Sequence, residues 1–141
     1  MNVYIVSDHA GVELKNYILN LGLKITDLSP INEPTDDYPD FAKTLAKKLK
    51  SEPGSLGIAI CGSGQGVCIA INKFEFIRAG LIFNKLQIAN LKLHNDANVI
   101  CLSQEFTVKD DLIEILNSFI NTKFSNEERH LRRINKTKHL K

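Results

Sequence analysis

Leu56-Gly57-Ile58-Ala59-Ile60-Cys61-Gly62-Ser63-Gly64-Gln65-Gly66-Val67-Cys68-Ile69-Ala70-Ile71-Asn72 is the stretch that decides the fold. Leu56 to Cys61 is a short continuous apolar run set off by Pro53-Gly54, which reads as a strand buried on both faces. Glycines at alternate positions, Gly62, Gly64 and Gly66, break the run, and a helix opens over Gly64 to Asn72. A doubly buried strand that passes through a glycine turn into a helix is half of a βαβ unit, the building block of parallel sheets.

The same alternation recurs on either side. Asn2 to Ser7 reads as strand one, followed by Leu14, Tyr17, Ile18 and Leu21 at helical spacing until Gly22 supplies a stop. Leu23 to Leu28 reads as strand two. After a loop containing Pro and Asp, Pro39 sits in the first turn of a helix that buries Phe41, Ala42, Leu45, Ala46 and Leu49. Beyond the quoted stretch, Arg78 to Phe83 reads as strand four, Asn84 caps a helix ending near Leu93, and Asn98 to Leu102 is strand five. Thr107 then caps a helix carrying Leu112, Ile115, Leu116 and Phe119, and a last polar helix runs from about Asn126 to Asn135. The expected fold is α/β: a single domain over residues 1–141, a Rossmann-like three-layer α/β/α sandwich with a five-stranded parallel sheet and a C-terminal helix.

Composition narrows the function. The chain has 141 residues, 43% hydrophobic, enough for one core. Its formal net charge of +2 is too small a field to suggest a nucleic-acid or anionic-membrane partner, so any anion must be bound locally. The apolar runs fall well short of the roughly 18 residues of a membrane span. The N-terminal residues carry no signal-like pattern, and a cytoplasmic location is expected. Cys61, Cys68 and Cys101 show neither a disulfide framework nor a Cys-x-x-Cys metal pair, so free thiols and no metal are expected, with Cys68 and Cys101 as core residues.

In a doubly wound sheet, ligands bind beyond the carboxyl ends of the strands where the strand order reverses. Strand one ends in Ser7-Asp8-His9-Ala10-Gly11 and strand three in Cys61-Gly62-Ser63-Gly64-Gln65-Gly66, so the two polar clusters share one crevice if those strands are neighbours. The glycine run suits convergence of backbone N–H groups on an anion. It is not the dinucleotide fingerprint, because Val67 stands where a third glycine is needed, and it lacks the Gly-Lys-Ser/Thr end of a Walker loop. Cys61, beside the cradle, can serve as a base or a nucleophile, since helix N-termini favour thiolates in general. His94, in a His94-Asn95-Asp96 turn, can act as a general acid or base. Arg129 and Arg133 lie four apart on the last helix, where an anion would relieve their repulsion; a solvated basic face is the plainer alternative. His130 and His139 receive no functional reading.

Asp8-His9-Ala10-Gly11, Asp37-Tyr38-Pro39, Cys61 to Gly66, Ala70-Ile71-Asn72-Lys73, Ile77-Arg78-Ala79 and His94 to Val99 resemble, in order and spacing, the type B ribose-5-phosphate isomerase family. That family includes galactose- and allose-6-phosphate isomerases. The resemblance implies aldose–ketose isomerisation of ribose 5-phosphate and ribulose 5-phosphate, in the pentose phosphate pathway, through an enediolate and without a cofactor. It implies that Cys61 moves the proton between C2 and C1, that His94 with Asp8 assists ring opening, and that Ser63 holds the reacting oxygens. Gly62, Gly64, Gln65 and Gly66 would cradle the enediolate, Tyr38 and Asn95 would contact the sugar, and His9, Arg129 and Arg133 would take the phosphate. It also implies a homodimer with shared active sites, leaving open whether dimers pair into tetramers.

Two features bear on that implication. A second branch of the family uses a glutamate just after the third glycine, where this chain has Val67, which puts it with the cysteine branch. An arginine common after strand five is replaced here by Glu105 within Gln104-Glu105, and a carboxylate there would repel a phosphate. The alternatives are a hexose-6-phosphate isomerase of the same family and a non-catalytic phosphosugar-binding module. Mere binding needs neither a base nor a ring-opening acid.

Overall fold

The computed structural model describes residues 1–140. Five parallel strands form one sheet in the order β2-β1-β3-β5-β4: β1 Val3–Ser7, β2 Thr26–Asp27, β3 Leu56–Cys61, β4 Ala79–Leu81 and β5 Val99–Ser103. The helices are α1 Val12–Leu19, α2 Tyr38–Ser51, α3 Gln65–Ile71, α4 Ile88–Asn95, α5 Leu112–Asn121 and α6 Glu128–Lys138. The chain moves from β1 outward to β2 and returns past β1 to β3, so the strand order reverses between β1 and β3. Strands one and three are neighbours, with Ser7 opposite Ile60.

The central strands are buried on both faces, and their alternation sorts the helices into two layers. Ile5, Ile58, Ile60, Ile100 and Leu102 point toward α1, α4 and α5, where they meet Leu14, Ile18, Ile88, Ile115 and Phe119. Tyr4, Val6, Ala59, Cys61, Val99 and Cys101 point toward α2 and α3, against Ala42, Leu45, Leu49, Val67 and Ile71. Each fully buried Ile or Leu contributes about 1.5–3 kcal/mol through burial. Helix α6 packs against α4 and buries only His130 and Ile134, four residues apart on one face.

The edges differ from the sequence reading. Strand two is two residues long rather than Leu23 to Leu28, because Leu23 and Ile25 pack onto the core without joining the ladder and only Thr26, Asp27 and Leu28 reach β1. Strand four, expected over Arg78 to Phe83, pairs formally only at Ala79–Leu81, with Ile82 adding one bond to Cys101. Asn84 does not cap α4; its Oδ1 accepts from Leu86 N in a turn, and the helix begins at Ile88. Thr107 is no helix cap either. Its Oγ1 accepts from Ser103 N and donates to Ile82 O, tying the ends of β4 and β5 together. Asn126 has φ +59°, so α6 starts at Glu128 instead. Cys68, assigned to the core, is half-buried, whereas Cys101 is fully buried.

Candidate active site

The carboxyl ends of β1 and β3 converge on a crevice. Asp8 N donates to Ile60 O and Gly11 packs against Ile60, where a Cβ would come within 2.7 Å of its side chain, so the chain after β1 is drawn close over β3. Asp8 is buried, and its Oδ1 accepts from Ala10 N at 3.0 Å. Burial raises the carboxyl of Asp8 above the ordinary range, and the neighbouring His9 charge and the Ala10 N–H offset this only in part.

Cys61 ends β3 with 4% of its surface exposed, and Gly64 N–H donates to its Sγ at 3.2 Å. Gly64 itself adopts the left-handed backbone, φ +76°, where the cradle turns into α3. A Cβ there would lie 2.6 Å from Leu81 Cδ1 and 3.0 Å from Leu102 O. Gly64→Ala is therefore expected to destabilise the fold by about 1–3 kcal/mol from backbone strain and to displace the thiol's donor. Chemical denaturation measures the first effect; an unchanged midpoint would show the loop to be free of that constraint. Ser63 Oγ accepts from Gln65 N at 3.2 Å, starting α3, and the remaining first-turn N–H groups are left for an external acceptor. The Tyr38 ring covers Gly66, where an added Cβ would stand 2.7 Å from Cζ.

His9 leans toward the loop before α2. Its backbone N and its Nδ1 each reach Asp36 Oδ1 at 2.7 Å. The hydrogen bond to Asp36 raises the pKa of His9, burial opposes it, and the charges of Asp8 and Asp36 add to the rise. Glu105 also borders the crevice: its N donates to Gly62 O, and its Oε1 lies 3.5 Å from where a Gly62 Cβ would be. Gln104 faces elsewhere, accepting from Leu14 N at the start of α1.

The structure thus brings together Asp8, His9, Tyr38, Cys61, Gly62, Ser63, Gly64, Gln65 and Gly66. It does not bring His94, Asn95, Arg129 or Arg133 to them within one chain. His94 and Asn95 occupy the last turn of α4, not a free turn, and β5 begins only after them at Val99; Cys61 lies opposite Ser103 at the far end of that strand. Five strand residues span roughly 17 Å. Asn95 O and Asp96 hold the Arg78 guanidinium just before β4, again at the amino ends. Arg133 and Asn95 line a cavity of about 630 Å³ with Asn72, Lys73 and Arg78. Arg129 is engaged by Glu127 at 2.9 Å.

Sequence reasoning missed His130 and Asp36. His130 is buried with its ring 4.3 Å from that of His94, and its Nδ1 is 2.8 Å from Ser125 Oγ. Burial lowers its pKa, helped by the charges of His94 and Arg129. A histidine four residues before Ile134, on a helix whose only other apolar side chain is the exposed Leu131, was the available signal.

The sequence model of the Ribose/Galactose Isomerase family matches residues 3–137. A probable ribose-5-phosphate isomerase B of Mycoplasma pneumoniae is 42% identical over 139 residues, covering 95% of this chain and 91% of its own length. The ribose-5-phosphate isomerase B of Mycobacterium tuberculosis is 37% identical over 140 residues, covering 95% of this chain and 86% of its own. Among solved structures, that of ribose-5-phosphate isomerase B from Mycoplasma genitalium with bound ribulose-5-phosphate matches with a TM-score of 0.85 at 39% identity, over 96% of this chain and 93% of that one. The order β2-β1-β3-β5-β4, the crevice at its reversal point and a match spanning nearly every residue agree: the chain belongs to the ribose/galactose isomerase family.

Proposed function

We propose that this chain is a ribose-5-phosphate isomerase that interconverts ribose 5-phosphate and ribulose 5-phosphate, in the cytoplasm and as part of the pentose phosphate pathway. The observation that carries the reading is the Cys61 thiol held by Gly64 N–H at 3.2 Å beside the turn that carries Asp8 and His9, whose Ala10 Cβ stands 3.5 Å from where a Gly62 Cβ would be. Cys61 removes the proton from C2 of the open-chain aldose and returns it to C1. Ser63 and the backbone of Gly62 to Gly66 stabilise the enediolate oxygens, where the loss of one donor typically costs about 10²–10³-fold in rate. Asp8, its carboxyl raised by burial, is suited to hold a proton for opening of the sugar ring together with His94. Tyr38, Gln65 and Asn95 contact the sugar, and His9, Arg129 and Arg133 take the phosphate.

His94 and Asn95 reach this crevice from a second copy of the chain. Two features of the surface favour such a pairing. A groove of about 560 Å³ beside the cradle, lined by Gln65, Cys68, Ile69 and Leu81, exposes 65% of Ile69. It shares Asn72 and Lys73 with the cavity that holds Asn95 and Arg133, so one continuous face links the Cys61 half-site to the His94 half-site. A two-fold dimer over that face completes both sites.

The Glu105 carboxylate beside Gly62 bears on substrate affinity and preference, and the second reading is a hexose-6-phosphate isomerase of the same family. Kinetics on ribose 5-phosphate, allose 6-phosphate and galactose 6-phosphate, in chelator, decide between them. Ribose 5-phosphate is expected to give the highest kcat/KM; turnover of none of the three would refute an isomerase.

A further inference from the structure

The Asp36 carboxylate is saturated by its own chain. Its Oδ1 takes the His9 backbone N–H and His9 Nδ1, both at 2.7 Å, while its Oδ2 accepts from Asn32 Nδ2 at 3.0 Å and Glu33 N at 3.1 Å. Four donors hold the ionised form, and although burial pushes the other way, the hydrogen bonds from Asn32 and His9 prevail and keep the Asp36 pKa below the ordinary range. The clamp is anchored on both sides. Asn32 Nδ2 also donates to Ser7 O at the end of β1, and buried Lys15 donates to Ser29 O and pairs with Asp27 at 3.2 Å, pinning the start of the same loop.

An ionised carboxylate can only accept, so the His9 nitrogen facing it must carry a hydrogen. This fixes the tautomer. The one free nitrogen, Nε2, then bears a lone pair when the ring is neutral and a hydrogen only when the ring is a cation. A lone pair repels an anion, and an N–H binds it. We propose that Asp36 is a positioning residue that locks His9 in one orientation and one tautomer, so that His9 can grip the substrate's phosphate only when protonated. The inference rests on the sugar-phosphate reading above for the identity of the anion; the clamp itself does not.

The charges around the ring favour that cation. Asp8 and Asp36 flank it directly, and Glu33 and Asp27 line the adjoining cavity, in which Lys15 is already paired. Because partners raise the His9 pKa, anion binding is full below it and fades as pH rises through that raised value. A phosphate monoester becomes a dianion only above about pH 6, so substrate affinity has an acid limit set by the ligand and an alkaline limit set by His9.

Sulfate, doubly charged across the neutral range, isolates the second limit. The test is sulfate inhibition and substrate KM as functions of pH, with the His9 ring nitrogens followed by nitrogen NMR in wild type, Asp36→Asn and Asp36→Ala. Wild type should show Nδ1 protonated in the neutral ring, and sulfate binding lost on titration of His9. Asp36→Asn should titrate lower and weaken sulfate and substrate by about tenfold near neutrality, the scale of one charged hydrogen bond, acting on KM rather than kcat. Asp36→Ala should also raise the share of Nε2–H in the neutral ring, where Nδ1 keeps only the Asp36 carbonyl oxygen at 3.2 Å as its acceptor. Unchanged His9 titration and tautomer in both variants would overturn the clamp without touching the isomerase reading. If His9 titration shifts while sulfate and KM profiles stay as in wild type, His9 does not hold the anion and the inference fails. Turnover through Cys61 is judged separately.

Discussion

Cys61→Ala is expected to lower kcat by about 10²–10⁴-fold, the range produced by removing a positioned acid or base. KM should change little. The substitution keeps the Cβ and the backbone bond from Gln104 N to Cys61 O at 3.1 Å, and deletes only the sulfur that Gly64 N–H holds. Neither of the two obvious substitutes is available: the residue after the third glycine is Val67, which is buried against the sheet, and Cys68 sits on α3 with Sγ near Ala79 O. Thermal unfolding separates loss of chemistry from loss of fold. A folded variant with near-normal turnover would remove Cys61 from the reaction.

A second large effect is recovery of activity from two dead proteins. Cys61 and His94 lie toward opposite ends of the sheet in one chain, so a site using both draws them from two chains. Cys61→Ala and His94→Ala should each be nearly inactive alone. Unfolded and refolded together in equal amounts, they should pair at random, making about half the dimers mixed. Each mixed dimer has one site with both lesions and one with neither, so activity should return to about a quarter of the wild-type value per site. Mixed dimers that form but stay inactive would place both residues' action within one chain and refute the shared site.

The centre of the fold was legible in the sequence because β1, β3 and β5 are buried on both faces, and continuous apolar runs such as Leu56 to Cys61 can be nothing else between Pro53-Gly54 and Gly62. The edges were not. Leu23 and Ile25 are apolar because they seal the core, not because they pair, and composition cannot separate those roles. Side chains that choose among backbone partners were misread for a related reason. Thr107 has the right chemistry for a helix cap, but Ser103 N comes to it from the end of β5 and Ile82 O from the residue just after β4. In the site, Cys61 and the glycine cradle are local in sequence and were readable. Asp36 was not, since its role arises from a contact with His9, 27 residues away, across a loop whose path the sequence does not disclose.

The most direct test of proton transfer at Cys61 is isomerisation of ribose 5-phosphate in deuterium oxide with chelator present, read by mass and proton NMR of the product. Wild type should form ribulose 5-phosphate carrying solvent deuterium at C1, and aldose recovered from the reverse reaction should carry it at C2. Cys61→Ala, folded and still protected by sulfate against unfolding, should introduce it about 10²–10⁴-fold more slowly. Deuterium incorporation by Cys61→Ala at the wild-type rate would contradict a proton moved by the Cys61 thiol.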